Sequence, residues 1–235
     1  METILRKYPS TKHFPWTQHS TTDDKIMSAA EVVRNFSGRE VAVTEKLDGE
    51  NTSMYSDHIH ARSTSGRPHP SREIVKQMHA SIKGLIPDNW RICGENVRQQ
   101  HSIHYSGLGT YFFVFAIFDE NNVCLSYDDT KDFANELGLT MVRELYRGPW
   151  DEKAVKACYT GKSAFDAYDV AEYRQSGVKV ETSEGYVCRV VDSFPSPEPK
   201  KGEKTWFETL AKFVREDHVT TSEHWMFENP VWNEL

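Results

Sequence analysis

Apolar residues fall in short runs separated by charged and turn-forming residues, and the runs follow two periods. The most apolar, Tyr111 to Phe118 (YFFVFAIF), is bounded by Gly109 and Asp119. Its length and aromatic content predict a strand buried on both faces. Shorter runs predict strands around Val41, Ser53, Ile92, Val142 and Val187, whereas helical spacing recurs over 28–35, 71–83, 127–137 and 151–159. Ser71 and Asp151 are the expected caps of the second and fourth helices. Several strands follow one another without an intervening helix, which favours an α+β fold with antiparallel sheets over a doubly wound one.

Two segments add detail. Ser53 to Ser63 reads as a strand pair turning at Ser56-Asp57, with alternation placing His58, His60 and Arg62 on one face. Phe194 to Lys204 (FPSPEPKKGEK) is the most linker-like stretch, where proline is expected to prevent sheet pairing. Its Lys200, Lys201 and Lys204 fit either a solvated loop or contacts to a nucleic-acid backbone.

Composition narrows the class. No Pro/Gly/Ser-rich linker divides the 235 residues, so one domain spanning 1–235 is expected. The net charge of −7 argues against a protein that coats nucleic acid nonspecifically, which needs many cations to neutralise phosphates. Local recognition stays open: Arg62, Arg67, Arg72, Lys76, Arg91 and Arg98 cluster in sequence and predict a basic groove. The four cysteines (Cys93, Cys124, Cys158 and Cys188) are widely spaced, no signal sequence opens the chain, and no apolar stretch is long enough to cross a membrane. A reduced, cytoplasmic protein is expected.

The candidate chemistry centres on Glu45-Lys46-Leu47-Asp48-Gly49-Glu50-Asn51, a lysine beside Asp-Gly after the apolar Val41-Ala42-Val43. Asp-Gly is also a common hairpin turn, and strand lysines commonly face solvent. As a nucleophile, Lys46 would attack the α-phosphate of a nucleoside triphosphate, for which its amine must be neutral, although a free lysine titrates near about 10.4. Nearby carboxylates oppose this. Alternation sends Glu45 to the face opposite Lys46 and places Asp48 on the same side if the strand persists. A hydrated divalent metal would offset that negative field.

Downstream segments carry matching groups. Arg62 has the planar fork of a phosphate or sugar clamp, or belongs to a solvated strand face. Cys93-Gly94-Glu95-Asn96 ends a strand with a carboxylate able to hold a ribose hydroxyl. In the aromatic run most rings are core, and Phe115 is the one expected to stack on a nucleobase. Ser183-Glu184-Gly185-Tyr186-Val187 offers a carboxylate suited to a metal held through water. Leu210-Ala211-Lys212-Phe213-Val214-Arg215 offers two cations for the α-phosphate and the departing pyrophosphate, or a basic amphipathic surface.

In this order the segments resemble the covalent nucleotidyltransferase superfamily, and within it the ATP-dependent RNA ligases related to the second phage RNA ligase. EKLDGEN resembles motif I with Lys46 as the adenylated lysine, and CGEN resembles motif III with Glu95 on the ribose. VFAIFD resembles motif IIIa with Phe115 over adenine, SEGYV motif IV with Glu184 near the metal, and AKFVR motif V with Lys212 at the phosphates. The likeness runs from about residue 40 to the HVTTSEHW segment ending at Trp225. Asn51 stands where the RNA ligase branch carries Asn and DNA ligases typically carry Arg. Two positions differ from the family pattern: Ala116 follows Phe115 where relatives have an acid, and K-F-V-R replaces the usual K-x-K, leaving the role of Arg215 open.

The resemblance implies an adenylyltransferase, ATP-grasp-like domain whose antiparallel sheets enclose the nucleotide, without a C-terminal OB-fold, since 20 residues follow Arg215. It further implies ATP and Mg2+ or Mn2+ as cofactors, with Lys46, Asp48, Glu184 and Lys212 as catalytic residues. Glu45, Asn51, Arg62, Glu95, Phe115 and Arg215 join them around the nucleotide. The expected substrates are RNA ends, a 5′-phosphate and a 3′-hydroxyl, free or in a nicked duplex, in RNA repair or end joining; a protein partner is left open. GTP, a DNA acceptor or capping-like chemistry are the near alternatives. A more distant one is a two-histidine phosphoesterase using His19 and His218, both in H-x-T triplets.

Overall fold

The computed structural model describes residues 3–64, 69–180, 182–198, 204–216 and 230–235. The first half runs β1 (Ser10–His13), α1 (Ala29–Phe36), β2 (Glu40–Lys46), β3 (Glu50–Met54), β4 (Ile59–Ala61), α2 (Glu73–Ile82), β5 (Arg91–Asn96), β6 (Ile103–Ser106) and β7 (Phe112–Phe118). There follow β8 (Val123–Cys124), α3 (Tyr127–Glu136), β9 (Thr140–Met141), β10 (Glu144–Pro149), α4 (Glu152–Ala157) and β11 (Asp166–Asp169). Last come α5 (Val170–Ser176), β12 (Gly185–Val190), β13 (Phe194–Pro195) and β14 (Trp206–Val214).

Two sheets dominate. One has the order β1-β14-β12-β2-β10, the other β13-β8-β7-β5-β3-β4 with β9 added beside β7, and β6 and β11 form a separate pair. Pairing is antiparallel except for β1 on β14 and β9 on β7, so the α+β fold with largely antiparallel sheets agrees with the sequence pattern. Alternation along β2 explains the division of labour in the first sheet. Val41 and Val43 enter a core with Val32 and Phe36 of α1, while Thr44 and Lys46 line a cleft between the sheets. Ser28 and Glu31 form a reciprocal capping box that starts α1.

Four local expectations need correction. Ser71 does not cap the second helix: it lies buried in a 3-10 turn whose cap is His69, and α2 starts at Glu73. The basic face of the 53–63 hairpin does not form, because β4 is three residues long, His60 is buried against Tyr55, and Arg62 falls beyond the strand. Pro195 does pair, with Val123; β13 is an edge strand, where the missing N–H is tolerated. The sequence pattern also missed α5, whose Asp169 cap and left-handed Gly177 stop are its plainest signals.

Candidate active site

Lys46 ends β2 at one end of a cleft of about 1020 Å3 lined by both large sheets. Pairing of Lys46 with Gly185 brings the preceding Glu184 beside it, and Lys46 Nζ lies 2.5 Å from Glu184 Oε1. Glu184 is buried. Burial alone would lower the lysine pKa, but the charges of Glu184, Glu95 and Asp48 outweigh it and raise Lys46 above its ordinary value. The Lys46 side chain is therefore held as an ammonium.

Glu95 comes from β5, whose pairing sets it beside Asn51 of β3. Burial, reinforced by Glu184 and Asp48 against the pull of Lys46, pushes its carboxyl up to about 8. Asp48 lies beyond the end of β2, so strand alternation does not place it. Its Oδ2 instead accepts from Ser102 N at 2.8 Å, Ser102 Oγ at 2.6 Å and Ile103 N at 3.1 Å. Those bonds hold the carboxylate that the sequence placed beside the lysine, while Tyr105 Oη accepts from Asp48 N at 2.9 Å. Among the described residues no group of three or more His, Cys, Asp or Glu is spaced to hold a metal directly.

Lys212 of β14 lines the same cleft, 3.5 Å from Asp24 Oδ1. Burial, with Lys46 and Arg62 nearby, lowers its pKa in spite of Asp24 and Glu184. Asp24 also faces His13 Nε2 at 3.4 Å. Its contact with His13 holds the Asp24 carboxyl well below the usual range, and burial keeps the imidazole below its own. Arg62 reaches across the cleft to Ser10 Oγ at 2.8 Å. Neither Asp24 nor His13 stood out in the sequence, because their link to Lys212 depends on the parallel pairing of the distant β1 and β14.

Phe115 owes its position to a bulge. Cys93 pairs with Ala116 and Gly94 with Val114, so Phe115 has no opposite residue on β5. It is the one half-buried residue of an otherwise buried strand, and its ring lines the cleft. A strict alternation would have hidden it.

Some expected residues are engaged elsewhere. The Glu45 carboxylate accepts from Ala164 N at 2.9 Å, and Arg215 is ion-paired with buried Asp169. Arg215 does not line the cleft. The basic groove forms only in part: Arg62, Arg72 and Arg91 line the cleft, with Arg72 paired with Glu50 and Arg91 buried against Phe118, whereas Lys76 pairs with Glu73 and Arg98 stacks on Tyr111 and Trp232. Arg67 lies outside the described residues. So does His218, while His19 does not line the cleft.

A family model described as RNA ligase matches residues 39–214, well over half of the chain. The chain belongs to the RNA ligase family. No curated protein sequence matches this RNA ligase family member. Its fold is similar to that of an archaeal ATP-dependent RNA ligase, with 18% identity, a TM-score of 0.54, and coverage of 90% of this chain and 48% of that one. It is similar also to Naegleria gruberi RNA ligase, at 18% identity in both cases: a mutant with ATP and Mn (TM-score 0.53, 90% and 60% covered) and the protein with PPi (0.52, 91% and 61%). The chain thus spans between 48% and 61% of the length of these relatives. No helix among its described residues is long and apolar enough to cross a membrane.

Proposed function

We propose that this chain is an ATP-dependent RNA ligase, acting as one nucleotidyltransferase unit over residues 1–235, with Lys46 as its nucleophile. The observation that carries the reading is Lys46 itself, held by Glu184 at the polar end of an intersheet cleft in a member of the RNA ligase family. Lys46 Nζ, once deprotonated, attacks the α-phosphorus of ATP; an N–P bond forms, the bridging P–O bond breaks and pyrophosphate leaves. A 5′-phosphate oxygen then attacks the adenylyl phosphorus, and the lysine departs and regains a proton. Finally a 3′-hydroxyl oxygen attacks the activated 5′-phosphorus, AMP leaves and the phosphodiester is complete.

Residue roles follow from placement. Lys212 and Arg62 face the phosphates, Glu95 holds a ribose hydroxyl, Phe115 stacks on the base, and Asn51 beside Glu95 meets the RNA end. Glu45 and Arg215 act at one remove: Glu45 anchors the loop at Ala164, and Arg215 ties the end of β14 to Asp169. Hard carboxylate oxygens suit Mg2+ or Mn2+ held mostly by water and substrate, so Glu184 would hold the ion through water, where its charge stabilises the triphosphate and opposes the carboxylate field. The RNA ends are the substrates, and four free cysteines accord with a reduced cytoplasmic setting.

The test is incubation with labelled ATP and magnesium. A covalent label on the protein that survives alkali, is released by acid as a P–N bond requires, and disappears in Lys46→Ala supports the reading, as does a mass increase of one AMP on Lys46. Retained labelling in Lys46→Ala overturns it, and labelling by GTP alone moves the protein to capping-like chemistry.

A further inference from the structure

The cleft carries lysines and carboxylates at one end and aromatic and apolar side chains further in, followed by two arginines, an order that suits a nucleotide. Lys46 and Lys212 stand at the first end, while Phe115, Val187, Leu210 and Tyr8 lie further in. Register fixes the depth of each. Lys46 pairs with Gly185, Thr44 with Val187 and Ala42 with Arg189, so each two-residue step on these strands moves roughly 6.6 Å away from the phosphates. On the facing sheet the same alternation runs from Glu95 through Cys93 to Arg91. Arg91 and Arg189 thus mark the deep end, beyond the level at which Phe115 enters. With the phosphates at Lys46, the ring of the base lies at that level and its outer edge points deeper.

Tyr8 occupies this deep end. Its ring packs edge-on against Phe115, with centroids 5.3 Å apart, and against Phe118 and Phe207. The residue is 8% exposed and lines the cleft, yet its hydroxyl has no hydrogen-bond partner among the described residues. A hydroxyl on the cleft lining that no neighbour engages is available to an occupant of the cleft. Cys124 and Cys93, and then Arg189 and Arg91, act electrostatically on the Tyr8 hydroxyl. Arg91 donates to Asn122 Oδ1 at 2.8 Å and Arg6 O at 3.1 Å, and Arg189 to Leu125 O at 2.7 Å and Val190 O at 3.1 Å, while Arg91 Nε and Arg189 Nη1 are buried without a partner among the described residues. Neither is in an ion pair among the described residues. With no partner engaging it there, the phenol O–H can donate to an acceptor in the cleft.

We propose that Tyr8 is a base-reading residue whose hydroxyl donates to N1 of adenine and rejects guanine, which carries an N–H at the same ring position. The inference rests on the nucleotide-binding reading above and adds to it the group that selects the base. It also gives the N-terminal segment a task, since Tyr8 lies ahead of β1 and outside the stretch matched by the family model.

The experiment compares the wild type with Tyr8→Phe, using ATP, GTP, 1-deaza-ATP, which lacks the N1 acceptor, and 7-deaza-ATP, which keeps it. The half-saturating concentration and the maximal rate are read from lysine labelling. For the wild type, 1-deaza-ATP should need about tenfold more nucleotide than ATP, the equivalent of one ordinary hydrogen bond, while 7-deaza-ATP should match ATP. Tyr8→Phe should raise the ATP requirement by a similar factor, leave the maximal rate nearly unchanged, and make ATP and 1-deaza-ATP equivalent. A wild type indifferent to N1, or a Tyr8→Phe variant with unaltered selectivity, overturns the proposal; the first comparison needs no variant to fold. Equilibrium titration with the same four nucleotides reads the base contact without covalent chemistry. Selective binding without labelling would therefore sink the ligase reading and leave the role of Tyr8 standing.

Discussion

Lys46 Nζ and Glu184 Oε1 lie 2.5 Å apart because Gly185 pairs with Lys46 across two neighbouring strands. The contact has opposite consequences at rest and in reaction. It compensates the charge of two largely buried groups, but it also keeps a proton on the amine that the proposed reaction needs neutral. If Lys46 is adenylated as proposed, the reaction has to loosen this pair.

The pH profile should report that conflict. The neutral fraction of Lys46 grows as pH rises, and Glu184 is the foremost of the charges that raise its pKa. Glu184→Gln should shift the labelling rate–pH curve to lower pH when magnesium is limiting. At saturating magnesium the same variant should lose about tenfold or more in rate, because the carboxylate that helps to hold the ion is gone. Labelling rates across pH at two magnesium concentrations test both parts; a curve that does not move would mean that another group controls the lysine.

Gly185 itself should tolerate no side chain. A Cβ there would lie 2.0 Å from Phe213 O, a backbone atom of the neighbouring β14. Gly185→Ala should cost about 1–3 kcal/mol or more by overpacking and push Glu184 out of register with Lys46. Denaturant unfolding and ATP labelling should fall together, whereas full labelling in a stable variant would mean that the register is not what positions the pair.

These arguments also explain what the sequence could disclose. Lys46, Glu95 and Glu184 were legible as candidates because each sits near a strand end in a short pattern with a glycine, adjacent to Glu95 and Glu184 and three residues after Lys46. Asp48 was only half legible, since its carboxylate is placed by the amides of Ser102 and Ile103 rather than by the strand. Phe115 could be chosen from its run, but the bulge that turns it outward depends on β5. Tyr8 and Asp24, which line the cleft, and His13, which contacts Asp24, were invisible, because their segment is brought there by the parallel pairing of β1 with β14, nearly the full chain apart. Arg215 misled for a related reason. Its three-residue offset from Lys212 sends it to the other side of the strand, where Asp169 takes it.

Glu95 makes stability depend on pH. Its folded-state pKa of about 8 lies above the ordinary glutamate value of 4.5. Folding thus favours its protonated form: the contribution is complete below about pH 4.5 and is lost as pH rises through about 8. Without nucleotide or metal, the melting temperature of the wild type should fall across that window, and Glu95→Gln, which cannot ionise, should flatten the decline. Parallel slopes for the two proteins would assign the pH dependence to other groups.

On the proposed reading, the choice between RNA and DNA ends depends on Asn51. It pairs with Glu95 in register, lines the cleft, and leaves its Oδ1 buried without a hydrogen-bond partner among the described residues. An amide can both donate and accept, so it can bridge a phosphate and a terminal sugar hydroxyl. Asn51→Ala should therefore slow the joining of a pre-adenylated RNA strand by roughly tenfold or more while changing formation of the lysine adduct far less. A site that reads RNA should also depend on the 2′-hydroxyl, the group that separates the two polymers. Nicked duplexes that differ only in whether the strand supplying the 3′-hydroxyl ends in ribose or deoxyribose isolate that dependence. The ribose end should seal faster with the wild type, and the preference should shrink in Asn51→Ala. Equal sealing of both ends by the wild type would defeat the RNA-specific assignment and leave a general polynucleotide ligase.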